Sequence, residues 1–118
     1  MKHIMQLKKV LGISGVYSEE FGFIYSGKKS EDGAQIDLLI DRKDKVINIC
    51  EIKFHESEFA INKDYLQQLK RKIAVFKTVT KTKKTIFPTF ISTYGLVQNQ
   101  YSSGFIQQEI KMIDLFKD

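Results

Sequence analysis

Residues 34–54, AQIDLLIDRKDKVINICEIKF, leave this chain few options. Two apolar runs, Ile36 to Ile40 and Val46 to Phe54, are short and rich in β-branched residues, which favours strands over helices. Between them Arg42-Lys43-Asp44-Lys45 is too charged to bury and suits a turn. The stretch therefore reads as a hairpin. Three charges stand inside its apolar runs: Asp37, Glu51 and Lys53.

Strand geometry relates them. Side chains alternate faces with period two, so Glu51 and Lys53 point the same way. A turn centred on Asp44 pairs residues whose numbers sum to 88, which sets Asp37 opposite Glu51. Directly paired residues have Cα atoms only about 4.5–5.5 Å apart. Two carboxylates at about 4 Å repel by roughly 1 kcal/mol in water and about 4 kcal/mol at an effective dielectric near 20. A divalent cation removes that conflict, because converging oxygens are what Mg²⁺ requires. Lys53 brings a positive charge to the same face, suited to a water or to a phosphate oxygen gaining charge. The plainer alternative is a pair of edge charges with Lys53 closing an ordinary salt bridge. A register shift of one residue would separate the acids; a shift of two would leave them diagonal on one face.

Asp37 followed on the next strand by Glu51-Ile52-Lys53 resembles the PD-(D/E)xK nuclease superfamily. More narrowly, GAQIDLLIDRKDKVINICEIKF, the later TYGLVQNQY and the ending IDLF resemble the C-terminal nuclease-like domain that follows a P-loop (AAA-type) ATPase in certain bacterial and archaeal proteins. The likeness covers roughly residues 3 to 116. It implies Mg²⁺ (or Mn²⁺) held by Asp37 and Glu51, with Lys53 assisting attack of water on a phosphodiester. The Ile52 carbonyl is a further candidate oxygen ligand. It also implies a nucleic-acid substrate, DNA before RNA, and a P-loop ATPase upstream, of which residues 1–118 would be the C-terminal piece.

The family pattern includes another acid on the first helix. Here no Asp or Glu precedes Glu19. That acid lies upstream, is replaced by Glu19 or Glu20, or is absent. Residues 2–11 have helical spacing, with Ile4, Leu7, Val10 and Leu11 on one side and Gly12 as the stop. The helix starts almost at Met1, so either it frays there or the chain is cut from a longer one. His3 has no neighbouring ligand type and reads as a surface residue.

Beyond the hairpin, Phe21, Phe23 and Tyr25 mark an earlier strand. Gly22 to Lys29, GFIYSGKK, imitates a phosphate-binding loop but lacks the Ser or Thr after Gly27-Lys28, and its Phe-Ile-Tyr centre cannot present free amides. Asn62 caps a helix from Lys63 to Thr80. Leu66, Leu69, Ile73 and Phe76 form its core stripe, with Tyr65, Gln68 and Lys72 on a neighbouring one. Gln68 and Lys72 are candidates for reaching a phosphate near the cation, although a solvated flank explains them as well. Residues 85–97 read as a central strand, with Pro88 expected at its start or at a bulge. Residues 109–116 read as a last strand, on which Asp114 is a surface or turn charge.

The fold expected is α/β: a three-stranded antiparallel meander joined to a parallel crossover, one mixed sheet with a helix on each face. A strand–helix–strand crossover of this kind is right-handed and parallel. At 118 residues the chain makes one domain with one modest core. A net charge of +5 favours a polyanionic partner. Lys70, Arg71, Lys72, Lys77, Lys81, Lys83 and Lys84 make the most basic region, but the helical ones are spread round its circumference. The single Cys50 supports neither a disulfide framework nor a zinc site. With no long apolar span and no signal-peptide core, the expectation is a cytoplasmic protein without membrane contact. Two functions follow: a Mg²⁺-dependent phosphodiesterase, or an inactive nuclease fold that docks nucleic acid or protein.

Overall fold

The computed structural model describes residues 4–27 and 33–113. His3 and Asp114 lie outside them. The elements run α1 (Ile4–Val10), β1 (Ser18–Tyr25), β2 (Ala34–Arg42), β3 (Val46–Lys53), α2 (Lys63–Thr80), β4 (Thr85–Ser92) and β5 (Gln108–Lys111).

The charged turn sets the hairpin register. Leu38 pairs with Cys50, Leu39 with Ile49, Ile40 with Asn48 and Asp41 with Ile47, so the paired numbers sum to 88 as expected. The sheet keeps sequence order, β1-β2-β3-β4-β5. The first three strands are antiparallel neighbours. After α2 the chain returns parallel to β3 as β4, and β5 adds parallel to β4.

The two faces carry separate apolar clusters. Leu38, Ile40 and Cys50 pack with Leu7 of α1, Ile13, Ile91 and Ile110. Leu39, Ile47 and Ile49 pack with Phe76 of α2. One helix therefore covers each face. Ile36 joins the second cluster although its even number would send it to the first. The cause is a bulge: Phe21 pairs with Leu39 but Phe23 with Ile36, so β2 spends three steps where β1 spends two.

The Asn62 side chain caps α2 by accepting the Tyr65 amide at 2.8 Å, and Lys81 ends the helix in the left-handed conformation at φ 55°. Leu69 and Phe76 are its buried residues, with Leu66 and Ile73 partly covered.

Several boundaries differ from the sequence expectation. Val10 of α1 is 41% exposed and does not join the core beside Leu7. β4 stops at Ser92, because Gly95 turns the chain at φ +94° where a side chain would also strike Lys111. Pro88 sits inside β4 opposite Ile49, neither at its start nor at a bulge. Its carbonyl accepts from Gln107 on the β5 side, so its missing N–H faces the edge where β5 pairing has not yet begun. β5 spans four residues, not 109–116.

A buried polar row crosses the sheet near the turn. Asn48, fully buried, accepts from Arg42 at 3.1 Å and donates to Thr89 at 3.0 Å and Gln108 at 2.7 Å. It links β2 through β5 by side chains alone.

Candidate metal centre

Asp37, Glu51 and Lys53 lie at the end of the hairpin away from its turn. The last antiparallel rung is Leu38–Cys50; Asp37 and Glu51 are the next residue on each strand, beyond the paired rungs. There the bulge interrupts the ladder. The amide of Ile52 points toward β2 and donates to Oδ2 of Asp37 at 3.1 Å instead of to a strand carbonyl. The Asp37 carboxylate is thus anchored to the strand that carries Glu51.

Glu51 is 5% exposed, on the α2 face beyond Ile47 and Ile49. Its Oε1 accepts from Lys72 Nζ at 3.0 Å and from the Tyr65 hydroxyl at 3.5 Å. Its Oε2 is buried with no hydrogen-bond partner. Desolvation pushes the Glu51 pKa up; Lys72 opposes this, while the Asp37 charge adds to it. The Asp37 carboxylate and the Lys53 ammonium both act on Glu51, in opposite senses.

Lys53 is half-buried and has no ion-pair partner among the described residues. Its ammonium lies 5.4 Å from the Tyr65 ring centroid and 6.0 Å from that of Phe59. The salt bridge that the plainer sequence alternative gave to Lys53 is made by Lys72.

The remaining candidates divide. Lys72 reaches the centre through Glu51. Gln68 is exposed and lines an open depression with Asp64, Gln67 and Arg71 instead. Glu20 pairs with Ile40 and Glu19 with Asp41, so both lie about three or four residues along the sheet from Asp37, roughly 10 Å or more away. Neither supplies the further acid. Much of the basic region is engaged within the fold: Arg71 donates to the Gly33 carbonyl, Lys84 pairs with Asp41, and Lys70 lies over Phe105. Gly22 to Tyr25 of the false phosphate loop belong to β1. Cys50, beside the acids but on the other face, has its thiol pushed up to about 12, chiefly by burial, and is inert.

The residues fit a hard divalent ion. The donors are oxygens, one is a buried carboxylate oxygen with no partner, and the second carboxylate, that of Asp37, is held by the amide of the residue after Glu51. Among the described residues no three His, Cys, Asp or Glu side chains gather to hold a metal. Mg²⁺ commonly takes one or two carboxylates and keeps several waters, so the pair suffices.

Tyr65 is the site residue to which the sequence assigned no role. Its spacing of seven from Lys72, two helical turns along one stripe, is the signal that would have found it.

Among the described residues no helix is long and apolar enough to cross a membrane. No protein-family model and no curated protein matches the chain. Among solved structures, the crystal structure of Protein of Unknown Function AF1548 is similar, with a TM-score of 0.57 and 17% identity over 96% of this chain and 61% of that one. The chain spans about three-fifths of that protein's length, and the likeness establishes the α/β fold alone.

Proposed function

We propose that this domain hydrolyses phosphodiester bonds of nucleic acid, DNA before RNA, with Mg²⁺ or Mn²⁺ held by Asp37 and Glu51. The observation that carries the reading is the orphaned, buried Oε2 of Glu51, on a strand whose Ile52 amide holds the Asp37 carboxylate and whose next same-face residue is Lys53. An uncompensated carboxylate oxygen at such a depth costs stability unless a cation completes it.

In this reading Asp37 and Glu51 hold the ion, with the Ile52 carbonyl as a further oxygen. When bound, the ion polarises a phosphate oxygen and lowers the pKa of a water. Lys53 donates to the attacking water or to the non-bridging oxygen on which charge develops. Lys72 fixes Glu51 through its other oxygen and offsets part of its charge. The resemblance to ATPase-linked nuclease domains supports a P-loop ATPase in the same chain.

A second reading, an inactive nuclease fold that docks nucleic acid or a protein, is favoured by the Lys72–Glu51 pair and by the placement of Glu19 and Glu20 away from Asp37. Incubation of the full-length protein with plasmid DNA and Mg²⁺ or Mn²⁺, beside Asp37→Ala and Lys53→Ala, separates the two. Metal-dependent cleavage lost in both variants supports the enzyme. DNA binding that persists in both, with no cleavage by the wild type, supports the docking module.

A further inference from the structure

Tyr65 stands between the two charged side chains that β3 presents to α2. Its ring faces the Lys53 ammonium at 5.4 Å, and its hydroxyl reaches Oε1 of Glu51 at 3.5 Å, long for an O–H···O contact. The ring is braced from behind. Phe59 meets it edge-on at 5.2 Å and Phe90 at 6.2 Å. Phe90 is fully buried and is the β4 partner of Glu51 in the ladder, so the brace and the acid share one rung. Phe59 is tied down by its own backbone, donating to Gly95 and accepting from Val97, both at 2.9 Å. The Tyr65 amide is held by the Asn62 cap. Few ways remain for this ring to move.

We propose that Tyr65 is a positioning residue with two separable parts: its ring holds the Lys53 ammonium, and its hydroxyl, with Lys72, ties one oxygen of Glu51 so that the other is left for a cation. This rests on the reading of Glu51 and Lys53 as metal and phosphate groups. An ammonium prefers an aromatic face to bare apolar surface, and Phe59 supplies a second face at 6.0 Å. The arrangement keeps Lys53 from collapsing onto Glu51, where it would compete with a cation. Burial first, then the Glu51 and Asp37 charges, push the phenol ionisation up, so the hydroxyl remains a donor at neutral pH. Groups that orient a metal ligand without touching the metal typically alter its affinity by about 10–100-fold, and the long contact here places Tyr65 at the low end.

The test separates the two parts and stands apart from cleavage. In metal-free protein, the Lys53 ε-methylene resonances, assigned by their loss in Lys53→Arg, should lie upfield of ordinary lysines because they sit over aromatic rings. Tyr65→Phe should keep that shift and weaken Mn²⁺ binding about tenfold by titration calorimetry. Tyr65→Leu should reduce the shift and weaken Mn²⁺ binding at least as much. A purely packing role for Tyr65 predicts Mn²⁺ affinity unchanged in Tyr65→Phe, the variant that keeps the ring and its packing. Ordinary Lys53 resonances, or Mn²⁺ affinity unchanged in Tyr65→Phe, would overturn the proposal. Wild-type protein that shows the Lys53 shift but binds no Mn²⁺ and cuts no DNA would keep the ring's role, remove the hydroxyl's, and end the nuclease reading.

Discussion

Lys72 Nζ lies 3.0 Å from Oε1 of Glu51, joining α2 to β3 through a carboxylate whose side chain is only 7% exposed. One ammonium satisfies one oxygen of this acid and leaves the other bare. The pair is therefore half of an arrangement. Its energetics differ with pH and with the presence of a cation.

The first expectation concerns protons. Desolvation raises the Glu51 pKa above its ordinary 4.5, against the opposing pull of Lys72. The folded state thus holds this proton more tightly than the unfolded one. The stability it contributes is complete below about pH 4.5 and is lost as pH rises through the folded value. Glu51→Gln should remove that decline and raise the neutral-pH stability of metal-free protein by on the order of 1 kcal/mol, the scale of one buried unsatisfied polar atom. Lys72→Met should act in the opposite sense, costing about 1–2 kcal/mol at neutral pH after allowance for the partial exposure of the lysine, and far less in acid. Thermal melts of the three proteins at about pH 4 and about pH 7 check both signs.

A cation should reverse the penalty. If Asp37 and Glu51 share an ion, Mg²⁺ or Mn²⁺ stabilises the fold by about 1.4 kcal/mol when its free concentration is ten times Kd. Asp37→Asn and Glu51→Gln should each abolish that increment, while Gln68→Ala should retain it. An equal melting shift in all four proteins would mean that the ion binds elsewhere.

The buried row at the other end of the sheet carries structural weight of its own. Asn48→Leu removes one acceptor from Arg42, which keeps its pair with Asp44, and leaves Thr89 and Gln108 without their shared donor. Each lost buried partner costs about 1–3 kcal/mol, part of it recovered by the apolar side chain. A net loss of about 2–4 kcal/mol is expected in denaturant unfolding. Because the row lies toward the turn and not beside Asp37, cation binding by protein that remains folded should be unchanged.

Lys81 offers a gain. It ends α2 at φ 55°, a conformation that costs an ordinary L-residue about 1 kcal/mol. Lys81→Gly should return roughly that amount, about 4 °C in Tm for a domain of this size. A calorimetric scan reads it directly.

Much of this was legible in the residues. The hairpin register followed from the length of the charged turn, through every rung from Asp41–Ile47 to Leu38–Cys50. The Asn62 cap and the Leu69–Phe76 stripe placed α2, and the crossover made β4 parallel to β3. Other features escaped for physical reasons. Ile36 joins the α2-side cluster because of a bulge, and Leu38-Leu39-Ile40 is apolar throughout, so no alternation survives to reveal it. Pro88 was misplaced because its cost depends on which neighbour begins where, a property of β5 and not of β4. Tyr65 falls on the stripe of Gln68 and Lys72, and its spacing does not show that one ring serves an apolar brace and a polar contact at once. The role of Asn48 is invisible in the sequence because its three partners come from three other strands.

The spare residue in β2 has a consequence for how this protein tolerates change. Opposite Phe21 and Phe23 it turns Ile36 to the same face as Leu39, so a substitution at either is felt by the Phe76 cluster under α2. The rungs toward the Arg42–Lys45 corner have no bulge, so a pairing shifted there by one residue would turn Asp37 and Glu51 to opposite sides of the sheet while leaving both in the chain.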